Sequence, residues 1–390
     1  MAKLGNYIEQ IRGVSYKPED VCASTDVDAV AILRANNIQD DGLIFDDLVY
    51  VKKDKVSAKQ YIQKGDIVVC ASSGSKNLVG KAAIVNEDME ISFGAFCKVI
   101  RPKKLMPSYI GHYFQSPKYR NKISELAGGA NINNIRNEHI DDLDIVVPNT
   151  DEQERISIEL NKVGGLISLR KQQLSKLDEL VKSRFIELFG DPVENDHGWQ
   201  TQPLESVCKT IVDCPHSTPS YTDEDTGYMC IRTSIVKKNR IMWDEIEYIP
   251  EHEYYQRIQR KRPEKGDVVY TREGAILGIA AMIDRECNVA LGQRSMLLSP
   301  NTAMCLPKFL SAAMNFESFL RKALGGVSGS ASPHINVGDI KAFAIILPPM
   351  ELQEQFAAFV EQTDKSKFEI QKSLEKLETL KKALMQKYFG

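Results

Sequence analysis

The stretch from Gly74 to Ala82 is the part of this sequence closest to a phosphate-binding loop in residue type and spacing. Such a loop binds phosphate through backbone amides and a lysine, and it binds magnesium through a Ser or Thr hydroxyl. Here one residue too many precedes Gly80-Lys81, and Ala82 stands where the hydroxyl is needed. The matching stretch of the second half, residues 274–279, contains no lysine. The sequence therefore indicates no nucleotide site.

The signatures of other catalytic sites are missing from the sequence as well. It has no Asn-Pro-Pro-Tyr or Asp-Pro-Pro-Tyr tetrapeptide of the kind that handles a flipped adenine, since residues 347–350 lack the amide and the aromatic ring. It also has no G-x-S-x-G elbow and no H-E-x-x-H helix. The cysteines form no C-x-x-C pair, and the histidines have no metal-ligand spacing with them. We therefore expect a chain that is not an enzyme and that uses no cofactor and no metal.

Lysine and arginine cluster in loops of both halves of the chain. The clusters of the first half are Lys52, Lys53, Lys55 and Lys59; Arg101, Lys103 and Lys104; and Lys118, Arg120 and Lys122. Those of the second half are Lys237, Lys238 and Arg240; Arg257, Arg260, Lys261 and Arg262; and Arg321 and Lys322. One such cluster usually only solvates a surface. Recurrence in both halves favours phosphate contacts, although the net charge of −3 argues against a uniformly basic surface.

The chain repeats itself at a separation of 200 residues, and the match is closest in two long charged segments. The matched pairs include Pro148/Pro348, Gln153/Gln353, Glu154/Glu354, Leu174/Leu374, Leu177/Leu377, Leu180/Leu380 and Phe189/Phe389. Upstream the register drifts by one residue, where Lys64-Gly65-Asp66 matches Lys265-Gly266-Asp267. A fixed register in one part and a drifting register in the other predict a rigid repeated element joined to a loop-rich, divergent one. The chain is thus a tandem duplication.

Each half is predicted to form an α+β globule followed by a long helix. Short strand-like runs broken by turns precede a helical stretch in both globules. Pro148 and Pro348 close the globules and open the long helices. We therefore expect four segments: a first α+β domain over residues 1–147, a central helix over 148–190, a second α+β domain over 191–347 and a C-terminal helix over 348–390.

Apolar residues recur at heptad spacing along both long helices, which is typical of a coiled coil. The residues of this predicted seam are Leu160, Ile167, Leu174, Leu177, Val181 and Leu188 in the first helix and Val360, Ile370, Leu374, Leu377 and Leu384 in the second. If the second globule returns the chain, the two helices run antiparallel. The predicted fold is then α+β, with two tandem domains separated and followed by helices that pair as an antiparallel coiled coil, related by a pseudo-two-fold axis. Packing of each amphipathic helix on a globule is the alternative.

The sequence carries no sign of a membrane or secreted protein. No apolar run approaches the length that spans a bilayer, and residues 1–7 lack the apolar core of a signal peptide. We expect a cytoplasmic protein whose eight cysteines are free thiols.

Three short elements that occur twice resemble one known family. Residues 148–156 and 348–356 look like the P-x-x-x-E-Q element at the entry to each spacer helix, and residues 187–190 and 387–390 look like the repeated helix end. Residues 64–67 and 265–268 look like a recurring strand of the target domain. In this order the elements resemble the specificity (S) subunit of type I restriction-modification systems, over essentially the whole chain. The second copy departs from the family pattern at Gln355 and Phe356.

The resemblance implies two target recognition domains, each of which reads half of a split site in double-stranded DNA. It also implies that the helices are spacers held by two methyltransferase subunits, with nuclease-translocase subunits as optional partners. A duplicated α+β unit on a stiff spacer, without a catalytic constellation, suits a two-point ruler on DNA.

Loops between strands can vary without disturbing a core, so we look there for side chains that contact bases in the major groove. The candidates that follow the Gly-Asp strand are Ser73, Ser75, Lys76 and Asn77 in the first copy and Thr271, Arg272 and Glu273 in the second. The candidates that precede the spacer helix are Asn131, Asn133 and Asn134, and then Ser330, Ser332 and His334. A third set is Arg34 with Asn36 and Arg232 with Ser234. A turn residue or a phosphate contact is the alternative for each of them.

A function of another class stays open from the residues alone. The chain would then be a non-catalytic coiled-coil scaffold whose globules bind protein or carbohydrate, with basic clusters that only solvate the surface. Salt-dependent DNA affinity would distinguish the two functions.

Overall fold

A computed structural model describes residues 1–75, 77–127, 133–325 and 333–390. The chain forms two compact units. Unit 1 comprises Met1–Gln173 and Ile370–Gly390, and unit 2 comprises Leu174–Glu369. Each of the two long helices is therefore divided between the units. No helix within the described ranges is long and apolar enough to cross a membrane.

Unit 1 combines short strands with three short helices and a long one. The strands are β1 (Ala2–Lys3), β2 (Ile8–Arg12), β3 (Ala29–Leu33), β4 (Ile38–Gln39), β5 (Gly42–Leu43), β6 (Val49–Lys52), β7 (Ile67–Cys70), β8 (Ser72–Ser73), β9 (Ala82–Ile84), β10 (Ile91–Phe93), β11 (Cys97–Pro102), β12 (Asn133–Asn134) and β13 (Asp144–Ile145). The helices are α1 (Pro107–Gln115), α2 (Pro117–Leu126), α3 (Asn137–Asp141) and the first part of α4 (Thr150–Phe189), and the unit also contains residues 370–389 at the end of the second long helix. One sheet has the strand order β2-β11-β7-β9, and another has the order β10-β3-β6.

Unit 2 repeats this arrangement. Its strands are β14 (Gln200–Pro203), β15 (Cys208–Asp213), β16 (Met229–Ile231), β17 (Val236–Lys237), β18 (Arg240–Ile241), β19 (Glu247–Tyr248), β20 (Val268–Thr271), β21 (Ala280–Met282), β22 (Val289–Leu291), β23 (Ser295–Pro300) and β24 (Ala344–Leu347). Its helices are the second part of α4 (residues 174–189), α5 (Leu204–Val207), α6 (Glu251–Arg257), α7 (Pro307–Met314), α8 (Glu317–Leu324), α9 (Val337–Lys341) and the first part of α10 (Met350–Phe389). The main sheets have the orders β15-β23-β20-β21 and β19-β16-β22. The predicted α+β class is confirmed.

The repeated Lys-Gly-Asp motif forms the turn that enters the central strand of each unit. Gly65 and Gly266 have φ angles of 90° and 93°, which a side chain with a Cβ adopts only with strain. Asp66 Oδ2 accepts the amide of Gln63 at 2.9 Å and so closes the turn. Beyond the turn, β7 and β20 are buried along their whole length, as expected for β-branched strands inside a sheet.

The repeated glutamine of the P-x-x-x-E-Q element fastens each long helix to its unit. Gln353 is fully buried, and its Oε1 accepts the amide of Leu306 at 2.8 Å. Its Nε2 donates to the carbonyls of Met304 and Pro348, both at 3.0 Å. Both helices begin two residues after the prolines, at Thr150 and Met350.

The repeated phenylalanine at the end of each long helix is a core residue. Phe189 packs on Phe309 and Phe356, with ring centroids 4.8 and 5.5 Å apart. Phe389 packs on Tyr109 at 5.2 Å inside unit 1. The phenylalanine that ends each long helix is therefore buried in the core of a unit, which explains why an apolar residue recurs there.

The predicted seam faces inward along both helices. Leu160, Ile167, Leu374 and Leu384 are buried, and the other predicted seam residues are half-buried. Within unit 2 the two helix segments run antiparallel, because Asp178 pairs with Lys367 at 2.6 Å while Phe185 lies against Phe356 at 5.5 Å. The buried apolar stripe is thus present, and its coiled-coil geometry stays a prediction.

Candidate nucleic-acid interface

A turn in unit 1 brings the predicted site residues to one edge of the unit. The turn, residues 94–96, joins β10 to β11. Because β10 lies parallel to β3, the residues that follow β3 lie on one side of the turn. Because β11 is antiparallel to β7, with Cys97 opposite Cys70, the loop that follows β7 lies on the other side.

Unit 2 has the same edge, built from the same connections. The turn of residues 292–294 joins β22 to β23, β22 lies parallel to β16, and Ser295 lies opposite Thr271 at the end of β20. We call these regions the loop edges. Edge 1 comprises residues 34–36, 71–75, 77–79, 94–96 and 133–135, and edge 2 comprises residues 232–234, 272–277, 292–294 and 333–335.

The first two sets of candidates, far apart in sequence, are paired at each edge. In unit 1, β8 and β12 are antiparallel, with Ser72 opposite Asn134. In unit 2 an isolated antiparallel bridge joins Glu273 to His334. The segment after the central strand and the segment before the spacer helix therefore form one surface in each unit.

The loop after the central strand is closed by an equivalent backbone hydrogen bond in both units, but the two loops differ in length and in residue type. The amide of Gly80 donates to the Cys70 carbonyl at 2.8 Å, and the amide of Gly278 donates to the Thr271 carbonyl at 2.7 Å. Both glycines have φ near +79°, and a Cβ at Gly80 would lie 2.8 Å from Ile123. Between these points unit 1 has nine residues and unit 2 has six. A common frame therefore presents two different loops.

Most of the described polar candidates are accessible. Asn36, Ser75, Asn77, Asn134, Ser234 and His334 are exposed, and Ser73 and Glu273 are half-buried. The Ser73 hydroxyl accepts the amide of Ser75 at 3.1 Å. The predicted residues Lys76, Asn131, Ser330 and Ser332 lie outside the described residues, as does the side chain of Asn133.

Two candidates of the second copy point into the protein, which corrects the expectation that their side chains face bases. Thr271 is fully buried, and its hydroxyl accepts the amide of Ile279 at 2.9 Å. Arg272 is 7% exposed and donates to both carboxylate oxygens of Asp213, at 2.8 and 3.1 Å. Burial of an arginine is tolerated because the carboxylate compensates its charge. Arg272 therefore holds edge 2 in place rather than presenting a side chain at its surface.

The arginines of the third set are held in the same way in the two units. Arg34 Nη2 donates to the Asp47 carboxylate at 2.6 Å, and Arg232 Nη2 pairs with Glu247 at 2.8 Å. Arg232 also lies over the ring of Tyr221, 5.3 Å from its centroid. Within the described part of the chain, Nε of both arginines has no hydrogen-bond partner. Both Nε atoms are buried, so each guanidinium is oriented by its carboxylate and faces solvent only with the rest of its partly exposed side chain.

Part of the basic clusters serves the fold. Arg120 donates to the carbonyls of Asn77 and Val79, each at 2.8 Å, and so supports the loop of edge 1 from behind. Arg101 is bidentate to Asp66, and this hydrogen bonding raises the pKa of the arginine. For these residues the phosphate-contact interpretation is replaced by a structural one.

Sequence reasoning missed two exposed side chains that the turns place at the centre of the edges, Phe96 and Arg294. A signal was available, since residues 93–97 (Phe-Gly-Ala-Phe-Cys) align with residues 291–295 (Leu-Gly-Gln-Arg-Ser). These two stretches are 198 residues apart, whereas the main repeat has a separation of 200 residues, so comparison at the main separation does not align them. Among the described residues, no group of three His, Cys, Asp or Glu side chains could hold a metal ion.

This chain is similar to known proteins in both sequence and fold. The sequence matches the family described as "Type I restriction modification DNA specificity domain" twice, over residues 6–179 and 196–382. It is 30% identical over 399 residues to the type I restriction enzyme EcoKI specificity subunit of Escherichia coli (strain K12), with 97% of this chain and 86% of that protein covered. It is 29% identical over 409 residues to the StySPI specificity subunit of Salmonella potsdam, with the same coverage. The crystal structure of the type I restriction-modification S subunit from M. genitalium matches with a TM-score of 0.58 at 14% identity, covering 100% of this chain and 95% of that one, which shows the shared fold.

Proposed function

This chain belongs to the family of type I restriction-modification specificity subunits, and from that premise we propose that it reads a bipartite DNA target, one half-site with each loop edge. As a specificity subunit it is a non-catalytic component that determines the DNA target of such a system. A cytoplasmic location is part of the proposal, because the DNA lies there.

The observation that carries the proposal is the pair of loop edges. They share their strand connections and their closing glycines, yet their loops differ in length and in residue type. Base readout depends on the side chains that a rigid scaffold presents to the groove, so two different loops on one scaffold would select two different half-sites.

The exposed polar side chains of each edge would supply the base contacts. In edge 1 these are Asn36, Ser75, Asn77 and Asn134, and in edge 2 they include Ser234 and His334. Arg34 and Arg232 would supply phosphate contacts, because 37% and 41% of their side chains stay exposed beside the carboxylate that orients each of them. Thr271 and Arg272 are left out of this set because both are buried.

The long helices would hold the partner subunits and set the gap between half-sites. Leu180 and Leu380 occupy equivalent repeat positions and are 48% and 45% exposed, so each presents an apolar side chain that a partner could cover. We propose that each contacts one methyltransferase subunit, which would account for two copies per chain. Nuclease-translocase subunits would join the assembled complex. In this proposal residues 1–147 and 191–347 are the recognition domains, and residues 148–190 and 348–390 are the spacers.

Selection from a random duplex pool tests the proposal. The chain, copurified with its methyltransferase partners, is expected to enrich two specified runs of bases separated by an unspecified gap. Its affinity should fall steeply with salt, because phosphate contacts release counterions. Enrichment of no sequence, with affinity insensitive to salt, would favour a scaffold that binds protein or carbohydrate.

A further inference from the structure

Resting on the proposed function, we propose that Phe96 and Arg294 are equivalent base-contacting residues. Arg294 would select guanine in the half-site of unit 2, and Phe96 would select thymine through its methyl group in the half-site of unit 1.

The strand pairing places the two residues at equivalent positions. The carbonyl of Phe96 accepts the amide of Ala71 at 2.8 Å, and the carbonyl of Arg294 accepts the amide of Arg272 at 3.1 Å. Ala71 and Arg272 are each the first residue after the central strand of their unit.

A second hydrogen bond extends the equivalence to the segment before the spacer helix. The carbonyl of Ala71 accepts the amide of Ile135 at 2.8 Å, and that of Arg272 accepts the amide of Ile335 at 2.9 Å. In each unit the turn residue, the loop after the central strand and this segment therefore meet at one point. Phe96 and Arg294 lie where all three meet.

Both side chains face solvent at these points. Phe96 is 67% exposed, which leaves most of an aromatic ring in water. Arg294 is exposed, and no hydrogen bond or ion pair of its guanidinium is found among the described residues. This contrasts with Arg34, Arg232 and Arg272, which all bind a carboxylate.

The backbone at Arg294 is strained. Its φ of 72° is in the left-handed region, which residues with a Cβ adopt rarely and at a cost in free energy. The guanidinium lies beside Gly274, where a Cβ would be in ordinary van der Waals contact with Arg294 Nη1 at 3.4 Å. An exposed, strained and unpaired arginine fits a ligand-binding role better than a stabilising one.

The two side chains differ in the base that they would select. A guanidinium donates two parallel hydrogen bonds to O6 and N7 of guanine, and a phenylalanine ring makes apolar contact with the thymine methyl group. The equivalent positions would thus contribute one fixed base pair to each half-site, with a different base in each.

The test measures binding of the copurified complex to its selected target and to all single-base variants of that target. Arg294→Ala should lose about 5- to 150-fold discrimination at one G·C pair of one half-site. Arg294→Lys should lose it too, because lysine keeps the charge but not the forked geometry. Phe96→Ala should relax one A·T pair of the other half-site only.

Two variants serve as matched controls for charge and for apolar surface. Arg285→Ala removes an exposed arginine that precedes β22, and Val27→Ala removes a fully exposed apolar side chain that precedes β3. Both positions lie at the strand ends away from the turns, so discrimination should not change. Arg294→Gly should lose discrimination with a Tm no lower than that of the unchanged chain, since glycine relieves the left-handed backbone. This variant separates loss of contact from loss of folding.

Three results would overturn the inference. Uniform weakening on all sequences by Arg294→Ala, restored by Arg294→Lys, would identify a phosphate contact. Unaltered discrimination in all Phe96 and Arg294 variants would refute a base contact while leaving the proposed function intact. An unmodified complex without sequence preference would overturn the proposed function, and this inference with it.

Discussion

Gln153 Oε1 accepts a hydrogen bond from the backbone amide of Met106 at 2.9 Å, and so ties the start of a spacer helix to the segment that leads into α1. Gln353 repeats the contact with Leu306 at 2.8 Å. These contacts explain why a glutamine recurs at this position of both helix entries: its amide satisfies backbone groups that come from the globule. The junction of globule and helix is therefore rigid by construction.

Replacement of Gln353 by leucine should loosen that junction. The change leaves the Leu306 amide and the Met304 and Pro348 carbonyls without their partner, and it should cost about 2–4 kcal/mol of unfolding free energy. Urea denaturation measures the loss. Gln355→Leu, two residues along on an exposed face, is the matched control and should change stability by less than about 0.5 kcal/mol. Equal stability of the two variants would show that the Gln353 bonds contribute nothing.

Arg272→Ala should act on stability and not on one base pair. The change removes the guanidinium that donates two hydrogen bonds to the Asp213 carboxylate and leaves His216 Nε2, 3.2 Å away, as the other partner of that carboxylate. Breaking a buried pair of this kind costs at most about 3–5 kcal/mol. DNA affinity should fall for all sequences together, because edge 2 loses its support. Thermal unfolding and binding to single-base variants of the target check both points. A stable variant with relaxed selectivity at one base pair would restore the base-contact interpretation.

Unit 1 should lose stability in mild acid through His112. Burial lowers the pKa of this histidine from 6.5 to about 4, although its Nε2 hydrogen bond with Asn161 of α4 partly opposes the shift. The folded state therefore keeps His112 neutral while the unfolded state binds a proton below pH 6.5. This contribution to stability is fully present above about pH 6.5 and is lost progressively as the pH falls towards 4, by about 3 kcal/mol in all.

The measurement is the unfolding free energy of the chain and of His112→Gln as a function of pH. The variant should lack this part of the pH dependence, since glutamine does not titrate. The second copy has alanine at the equivalent position 312, so unit 2 offers no matching histidine. Identical pH dependence of the two proteins would refute the assignment.

A charge at a seam residue should separate the two long helices. A charge at an exposed leucine of the same helices should only weaken the binding of partner subunits. Leu174→Asp and Leu377→Asp introduce a carboxylate at half-buried seam positions, at a cost of several kcal/mol, on the order of that for an unpaired buried charge. Leu180→Asp and Leu380→Asp change exposed leucines of the same helices. Thermal unfolding and light scattering of the complex separate the effects. The seam variants should lose stability and partner mass, and the exposed variants only partner mass. Complexes of unchanged mass in all four would contradict both roles.

The sequence was sufficient for the α+β class and for the entries of the long helices, because the tandem repeat marks equivalent positions in both halves. Pro148 and Pro348 marked the helix entries, and the Gly-Asp motif marked the central strands, since both positions demand one residue type for backbone reasons. The pairing of the first two candidate sets at one edge agrees with their choice as loop residues.

The failures at the site have a common physical cause. Arg272 was predicted to contact bases because it follows the central strand. Its partner Asp213 lies 59 residues away on another strand, so no sequence pattern indicated that the two side chains pair. Phe96 and Arg294 were missed because exposure at a turn depends on how the strands pair. Whether a polar side chain faces in or out is decided by tertiary contacts, which one sequence does not display.

The gap between half-sites is the most direct test of a two-point ruler. Four residues inserted within residues 168–172, next to the division between the units, lengthen α4 by roughly 6 Å and rotate it only slightly past one turn, so the apolar stripe nearly keeps its face. Genome-wide mapping of methylated sites, in cells that express the chain with its methyltransferase partners, is the measurement. The account predicts a bipartite motif for the original chain, and for the insertion variant the same half-sites with a gap longer by about one or two base pairs. A contiguous motif, or an active variant with its original gap, would contradict it.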